Sequence, residues 1–146
     1  MKLISIMSPC FNERDNVEEL HARVKSVMEK LPDYDYEHIF IDNCSTDGTV
    51  DVLRQLAVAD KKVKVILNAR NFGHVRSPFH GLLQARGDAV ICLASDLQDP
   101  PELIAEFIRK WEAGYKVVIG IKTKSKENPI LFGIRRLFYW LLHKVA

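Results

Sequence analysis

The sequence has 146 residues, which is enough for one domain with its own hydrophobic core. Hydrophobic residues make up 47% of the chain and charged residues 27%, the balance of a soluble globular protein, and no apolar run approaches the ~18 residues of a membrane-spanning helix. The formal net charge of +2 is too small to favour a nucleic-acid partner. No C-x-x-C pair is present, so we expect no zinc site and instead reduced, buried thiols of a cytosolic protein at Cys10, Cys44 and Cys92.

Short apolar runs alternate with helical patterns along the whole chain. In chain order they predict a strand at 3–8, a helix at 17–31, a strand at 37–42, a helix at 49–60, a strand at 63–67, a helix at 77–85, a strand at 89–93, a helix from Pro101 to Gly114, a strand at 116–121 and a helix at 129–146. This alternation predicts one α/β domain over 1–146, with a mostly parallel twisted sheet and helices on both faces. The chain stops inside the last predicted helix without capping residues, so we expect it to be part of a longer protein.

Polar residues gather after the predicted strands, where ligands bind in parallel sheets. The first of these loops has no glycine and no Walker sequence occurs, which argues against a Rossmann dehydrogenase and a P-loop protein. It offers instead the ring of Phe11, the amide of Asn12 and the carboxylate of Glu13. These groups suit a flat base and a ribose better than a bare pyrophosphate.

The second and third loops contain further candidate ligands. Asp42 and Asn43 end a strand and are predicted to read the edge of a base; the alternative is a turn that leads into the next helix, which is the role we expect for Asp47. Arg70 has the planar fork that binds phosphate, and Gly73 permits a sharp turn. A surface arginine in a tight turn is the alternative for Arg70, and both interpretations stay open.

The fourth loop predicts a metal site. Asp96 and Gln98 follow an apolar strand, and Mg²⁺ or Mn²⁺ prefers oxygen ligands of this kind, completed by phosphate oxygens of a substrate. The alternative is a carboxylate that caps the following helix. Asp99 fits that role better than Asp96 does.

Four segments, in this order, resemble motifs of the family 2 glycosyltransferases with a GT-A fold. Residues 8–13, S-P-C-F-N-E, resemble the family's P-x-[YF]-N-E; residues 41–49, I-D-N-C-S-T-D-G-T, resemble V-D-D-G-S-T-D-G-T; residues 70–73 resemble R-N-F-G; and residues 96–102, D-L-Q-D-P-P-E, resemble the end of D-A-D-L-Q-D-P-P-E. Within the family the chain is similar to the branch of dolichol-phosphate mannosyltransferases and bacterial polyprenyl-phosphate glycosyltransferases.

The resemblance implies a site for a nucleotide-diphosphate sugar. It implies that the donor is bound by Pro9, Phe11, Asn12, Glu13, Asp42, Asn43, Arg70, Ser95 and Asp96. Asp96 and Arg70 are the implied catalytic residues, and Asp96 with Gln98 would hold Mg²⁺ or Mn²⁺. Two departures matter: Ala94 replaces the first aspartate of the metal motif, and Asn43 replaces an aspartate that contacts the base in the family.

The implied reaction is inverting transfer of a sugar to a lipid phosphate or a glycan, in cell-envelope polysaccharide or glycolipid synthesis. A lipid phosphate is already anionic and needs no general base. A nucleotidyltransferase and a non-catalytic nucleotide-binding module are the rival functions, and the sequence predicts no oligomeric state. We expect a cytoplasmic protein.

The last predicted helix bears on the acceptor. It has an apolar face and cations, so Lys122 and Arg135 are predicted to meet an acceptor phosphate or anionic headgroups at the cytoplasmic face of a membrane. Packing of this helix onto the rest of the protein is the alternative.

Overall fold

The computed structural model describes residues 1–121 and 138–139. Within them the strands β1 (Lys2–Cys10), β2 (Tyr34–Asp42), β3 (Val63–Leu67) and β4 (Ala89–Cys92) form a parallel sheet in the order β3-β2-β1-β4. The helices are α1 (Val17–Met28), α2 (Thr49–Ala59), α3 (Gly73–Leu83) and α4 (Ile104–Glu112), with a 3-10 turn at Pro101–Leu103 before α4. The predicted α/β fold is confirmed.

The sheet buries apolar side chains on both faces, because successive residues of a strand point to opposite sides. On one face Ile6 and Phe40 are fully buried in the core formed with α1, α2 and α4. On the other face Met7, Ile39 and Ile41 pack under α3. Each fully buried side chain of this kind stabilises the fold by about 1.5–3 kcal/mol. This two-sided core fixes the sheet, and with it the positions of the loops at its carboxyl edge.

The start of α3 differs from the sequence prediction. The pattern predicted a helix from 77, next to Pro78, whereas α3 begins at Gly73 and contains Pro78. The side-chain oxygen of Asn71 accepts the backbone N–H of Gly73 at 2.8 Å, and Gly73 has a φ of 82°. Loop hydrogen bonding therefore starts the helix one turn earlier than the proline suggests.

The predicted fifth strand at 116–121 is wrong, because this segment has no strand structure. A strand exists through hydrogen bonds to a neighbour, and among the described residues β4 pairs with β1 alone. Val117, Ile119 and Ile121 are 76%, 76% and 82% exposed. A short apolar run does not make a strand unless it pairs with a neighbouring strand, and this one does not.

The predicted last helix lies outside the described residues, together with Lys122 and Arg135. Phe138 and Tyr139 are the exceptions; both are helical and exposed. In the described part of the chain, no helix has the length and apolar character needed to cross a membrane.

Candidate functional site

Three of the loops at the carboxyl edge of the sheet contain backbone strain. φ is 57° at Asn12, 68° at Cys44 and 57° at Leu97, and these are the non-glycine residues with positive φ in the described part of the chain. This conformation costs an L-residue roughly 1–2 kcal/mol, less for asparagine, whose side chain can bond locally. Strain of this kind clusters where the surroundings fix a loop for a function. The loops after β1, β2 and β4 are therefore candidates for the functional site.

The first two loops are held side by side by hydrogen bonds. The backbone N–H of Asn12 donates to Ser45 Oγ at 2.8 Å, and Asn12 Oδ1 accepts the N–H of Thr46 at 2.9 Å. The N–H of Glu13 donates to Thr49 Oγ1 at 2.9 Å. The amide of Asn12 thus joins the loops after β1 and β2.

The two aspartates of the second loop shape the loop itself. Asp42 is 1% exposed and accepts both the N–H and the hydroxyl of Ser45, at 2.9 and 2.5 Å. Asp47 accepts the N–H of Thr49 at 3.0 Å at the start of α2, which confirms the role expected for it. Burial raises the pKa of Asp47, but hydrogen bonds from Thr49 and from the N–H of Arg14 outweigh it and leave the pKa below its usual value. Asp42 makes the turn contact that the sequence offered as the alternative to base recognition.

Asn43 connects the second loop to the third. Its Oδ1 accepts the N–H of Phe72 at 2.8 Å and Asn68 Nδ2 at 3.3 Å. Its Nδ2 donates to Asn71 Oδ1 at 2.9 Å and to the carbonyl of Gly73 at 3.4 Å. The residue is 7% exposed. One buried carboxamide therefore holds the loop between β3 and α3.

A thiol and a hydroxyl connect the first loop to the fourth. Cys10 Sγ lies 3.1 Å from Ser95 Oγ, and both residues are buried. Burial raises the pKa of Cys10 to about 12, so this thiol stays protonated and structural, as expected. Cys44 and Cys92 are exposed, contrary to expectation. Cys44 lies in the strained second loop, and Cys92 points to the face of β4 opposite the core side chain of Ile91.

The fourth loop exposes the predicted metal ligands. Asp96 and Gln98 are both exposed, and Asp96 Oδ1 accepts the N–H of Gln98 at 3.1 Å. No cluster of three or more His, Cys, Asp or Glu side chains that could hold a metal occurs among residues 1–121 and 138–139. Mg²⁺ commonly takes one or two carboxylates and completes its shell with water and phosphate oxygens. One carboxylate and one amide fit an ion of that kind when it arrives with a diphosphate.

Arg70 presents its charge to solvent. Its guanidinium carbon lies 4.8 Å from the centre of the Phe72 ring, a cation–π contact that orients the exposed side chain. Within the described residues, no ion pair engages Arg70. The guanidinium is therefore available to an anionic ligand.

A cavity of about 420 Å³ opens beside these loops. It is lined by Pro9, Cys10, Phe11, Asn43, Asn71, Gly73, His74, Ser77 and Pro78. Its size is that of small-molecule sites. Of the predicted donor-binding residues, Pro9, Phe11 and Asn43 line the cavity. Asp42 ends β2, and the others lie in the loops that follow β1, β3 and β4.

Sequence reasoning missed the wall contributed by α3. His74, Ser77 and Pro78 are spaced i, i+3, i+4 and therefore share one side of the helix. A helix start at 77 hides this pattern, whereas a start at Gly73 reveals it. The asparagine and glycine of R-N-F-G were the available signal that the helix begins there.

The comparison with protein families decides the class of this site. Residues 5–144 match the model of glycosyl transferase family 2. The chain belongs to glycosyl transferase family 2. The resemblance found in the sequence is therefore confirmed.

Relatives of this family 2 chain include bacterial and phage proteins. The chain is 41% identical over 139 residues to the uncharacterized glycosyltransferase YkcC of Bacillus subtilis, which covers 94% of this chain and 43% of the relative. It is 36% identical over 144 residues to a bactoprenol glucosyl transferase of Shigella phage SfV, which covers 98% of this chain and 47% of the relative. The chain thus spans less than half the length of these relatives and matches their N-terminal part.

Solved structures show the same fold. The mannosyltransferase PcManGT of Pyrobaculum calidifontis, solved with GDP-Man and Mn²⁺, aligns with a TM-score of 0.63 at 21% identity, over 78% of this chain and 33% of that one. Residues 1–349 of TarS from S. aureus align with a TM-score of 0.55 at 22% identity, over 87% of this chain and 40% of that one. These likenesses establish the GT-A fold of the family 2 chain.

Proposed function

We propose that this chain is the donor-binding part of an inverting glycosyltransferase that moves a sugar from a nucleotide diphosphate to a lipid phosphate. The observation that carries the proposal is the cavity at the carboxyl edge, which is lined by residues of three of the four motif segments. The name of the phage relative, a bactoprenol glucosyl transferase, supports a lipid acceptor over a glycan.

The loops offer a distinct group to each part of the donor. Phe11 lines the cavity and is 47% exposed, so its ring can stack on the base. Glu13, which is half-buried, offers a carboxylate to the base or ribose, and Asp42 holds the neighbouring turn through Ser45. Arg70 supplies a cation for the diphosphate.

The transfer is an in-line displacement at the anomeric carbon. The bond from this carbon to the diphosphate oxygen breaks as the acceptor oxygen attacks from the opposite side, so the configuration inverts. Negative charge grows on the departing diphosphate, and Arg70 stabilises it there. A phosphate acceptor is already anionic, so the reaction needs no general base.

Asp96 and Gln98 would hold Mg²⁺ or Mn²⁺ at the diphosphate. When bound, the ion neutralises the leaving group as a Lewis acid. Ser95, buried against Cys10, fixes the backbone that presents Asp96. Because Ala94 removes a second carboxylate, we expect weak metal binding without nucleotide and tighter binding with it.

The acceptor would enter from a membrane surface on the cytoplasmic side. We propose Lys122 and Arg135 as the cations that meet its phosphate, in the segment outside the described residues. Flotation with anionic and neutral vesicles measures this, and equal recovery with both would remove the membrane role.

Donor turnover tests the proposed function. The chain is incubated with UDP-, GDP- and dTDP-sugars, polyprenyl phosphate and Mn²⁺, and release of the nucleoside diphosphate is followed. We expect release from one donor class, lost in Asp96→Asn and largely kept in Asp99→Asn. Binding of a donor that stays intact would indicate a non-catalytic module. Release of pyrophosphate from a nucleoside triphosphate and a sugar phosphate would indicate a nucleotidyltransferase.

A further inference from the structure

The side chain of Asn43 has no hydrogen-bonding capacity left for a ligand. A carboxamide has two donors and two acceptor lone pairs, and here all four are engaged by the loop between β3 and α3. We propose that Asn43 is a positioning residue: it fixes the loop of Asn68–Gly73, and this loop rather than Asn43 contacts the donor. The proposal rests on the proposed function of the same site.

The backbone partners determine which way the carboxamide points. The N–H of Phe72 can only donate, so the atom that faces it is the oxygen. The carbonyl of Gly73 can only accept, so the atom that faces it is the nitrogen. Asn71 Oδ1 already accepts the N–H of Gly73, so it too requires a donor from Asn43. All three contacts require the same orientation.

These contacts extend to the wall of the cavity. Asn68, which donates to Asn43, also donates to Ser77 Oγ on α3 at 2.8 Å. Asn71 starts α3 through its bond to Gly73. The loop also contains Phe72, over which Arg70 lies. The place of Arg70 and the first turn of α3 therefore depend on the carboxamide of Asn43.

One hydrogen bond offers a matched pair of substitutions. Asn43→Asp removes the donor and sets a carboxylate against Asn71 Oδ1 and the carbonyl of Gly73. Asn71→Asp keeps an acceptor on the other side of the same bond. The two variants differ from the parent by the same atoms and the same charge, yet the geometry predicts opposite results for the loop.

Amide hydrogen exchange of Phe72 and Gly73, measured by NMR, reports on the loop. Asn43→Asp leaves Asn71 Oδ1 and the carbonyl of Gly73 facing an acceptor instead of a donor, which opens the loop to water. The exchange of the Phe72 and Gly73 amides should therefore become about tenfold to a hundredfold faster. Asn71→Asp should change it by less than about threefold, as substitutions outside the core do. Asn43→Ala, which removes both the donor and the acceptor without adding charge, should also speed the exchange and replaces the first variant if that does not fold.

Calorimetry with UDP, GDP and dTDP in Mn²⁺ measures nucleotide affinity, which would not change if Asn43 only stabilised the fold. At a temperature where both proteins are fully folded, Asn43→Asp should weaken nucleotide affinity about tenfold, the effect of one lost contact network. Gln55→Glu, an exposed amide-to-carboxylate change on α2, should leave it unchanged.

Two results would overturn the proposal. The first is equal exchange in the two aspartate variants. The second is parent-like exchange in Asn43→Asp, which together with weaker nucleotide binding would mean that Asn43 touches the nucleotide directly. A parent chain that binds no nucleotide would instead defeat the proposed function, and the exchange comparison would still decide whether Asn43 fixes the loop.

Discussion

Two histidines, His21 and His38, are buried between α1 and β2, and we expect them to lower the stability of the fold in mild acid. Ser8 Oγ lies 3.1 Å from His38 Nε2, His38 Nδ1 lies 3.2 Å from His21 Nδ1, and His21 Nε2 lies 3.4 Å from Asp60. Burial and the neighbouring His21 hold the pKa of His38 well below its usual value. Burial also lowers the pKa of His21, against the attraction of Asp60, and Lys25 adds to the lowering. The network is therefore satisfied with both imidazoles neutral.

The sign and size of the change in stability follow from proton linkage. A histidine whose pKa is lowered by folding binds more protons when unfolded, so its contribution is fully present above the unfolded pKa of about 6.5 and is lost as pH falls below it. Each imidazole that stays neutral in the folded protein lowers the free energy of unfolding by about 1.4 kcal/mol between pH 7.5 and 5.5. His21 and His38 together set a ceiling of about 2.7 kcal/mol over this interval. Ordinary carboxylates titrate near pH 4, so the change in stability between pH 7.5 and 5.5 comes from the histidines.

Urea unfolding at pH 7.5, 6.5 and 5.5, followed by circular dichroism, measures the effect. The free energy of unfolding should fall over this range, and His38→Phe should remove about half of the fall while it lowers stability overall. His80→Gln, a change of an exposed histidine on α3, is the matched control and should keep the parent slope. A free energy of unfolding that is constant from pH 7.5 to 5.5 would refute the reasoning.

Three substitutions test other parts of the account. Cys44→Gly relieves a residue at φ 68° and should raise the free energy of unfolding by about 0.5–1 kcal/mol in urea melts, since relief of strain exceeds the entropy cost of glycine; a lower stability would contradict this. Gly87→Ala places a Cβ 2.7 Å from the backbone nitrogen of Ser5 and should cost about 2–3 kcal/mol; a parent-like melt would show that β1 can shift. Arg70→Gln should weaken nucleoside diphosphate binding about tenfold in calorimetry without changing the melt, whereas Arg54→Gln on α2 should change neither.

Hydrophobic periodicity predicted the helices and strands that bury one face. It failed where an element depends on hydrogen bonds to a neighbouring strand or loop. The strand at 63–67 has the predicted bounds, because its apolar run and its flanking turns are local signals. The segment 116–121 also has an apolar run but forms no strand. A strand needs hydrogen bonds to a neighbouring strand, and the residues of the segment alone do not specify that neighbour.

The candidate site divides in the same way. The motifs placed Pro9 and Phe11 at the cavity from the sequence alone, whereas His74 was missed. Its place depends on two hydrogen bonds, from Asn43 to Asn71 and from the N–H of Gly73 to Asn71. The asparagine and glycine of R-N-F-G are the sign of the second bond in the sequence, whereas the bond between the two loops has none.

The most direct test of the central claim is an NMR titration of the chain with UDP, GDP and dTDP in the presence of Mg²⁺. The account predicts that at least one of them shifts the amide signals of Phe11, Asn71 and His74, at the cavity of the carboxyl edge, and that removal of Mg²⁺ weakens this binding. Shifts confined to the opposite edge of the sheet, around Lys25 and Lys62, or no shifts with any nucleotide in the folded chain, would contradict it.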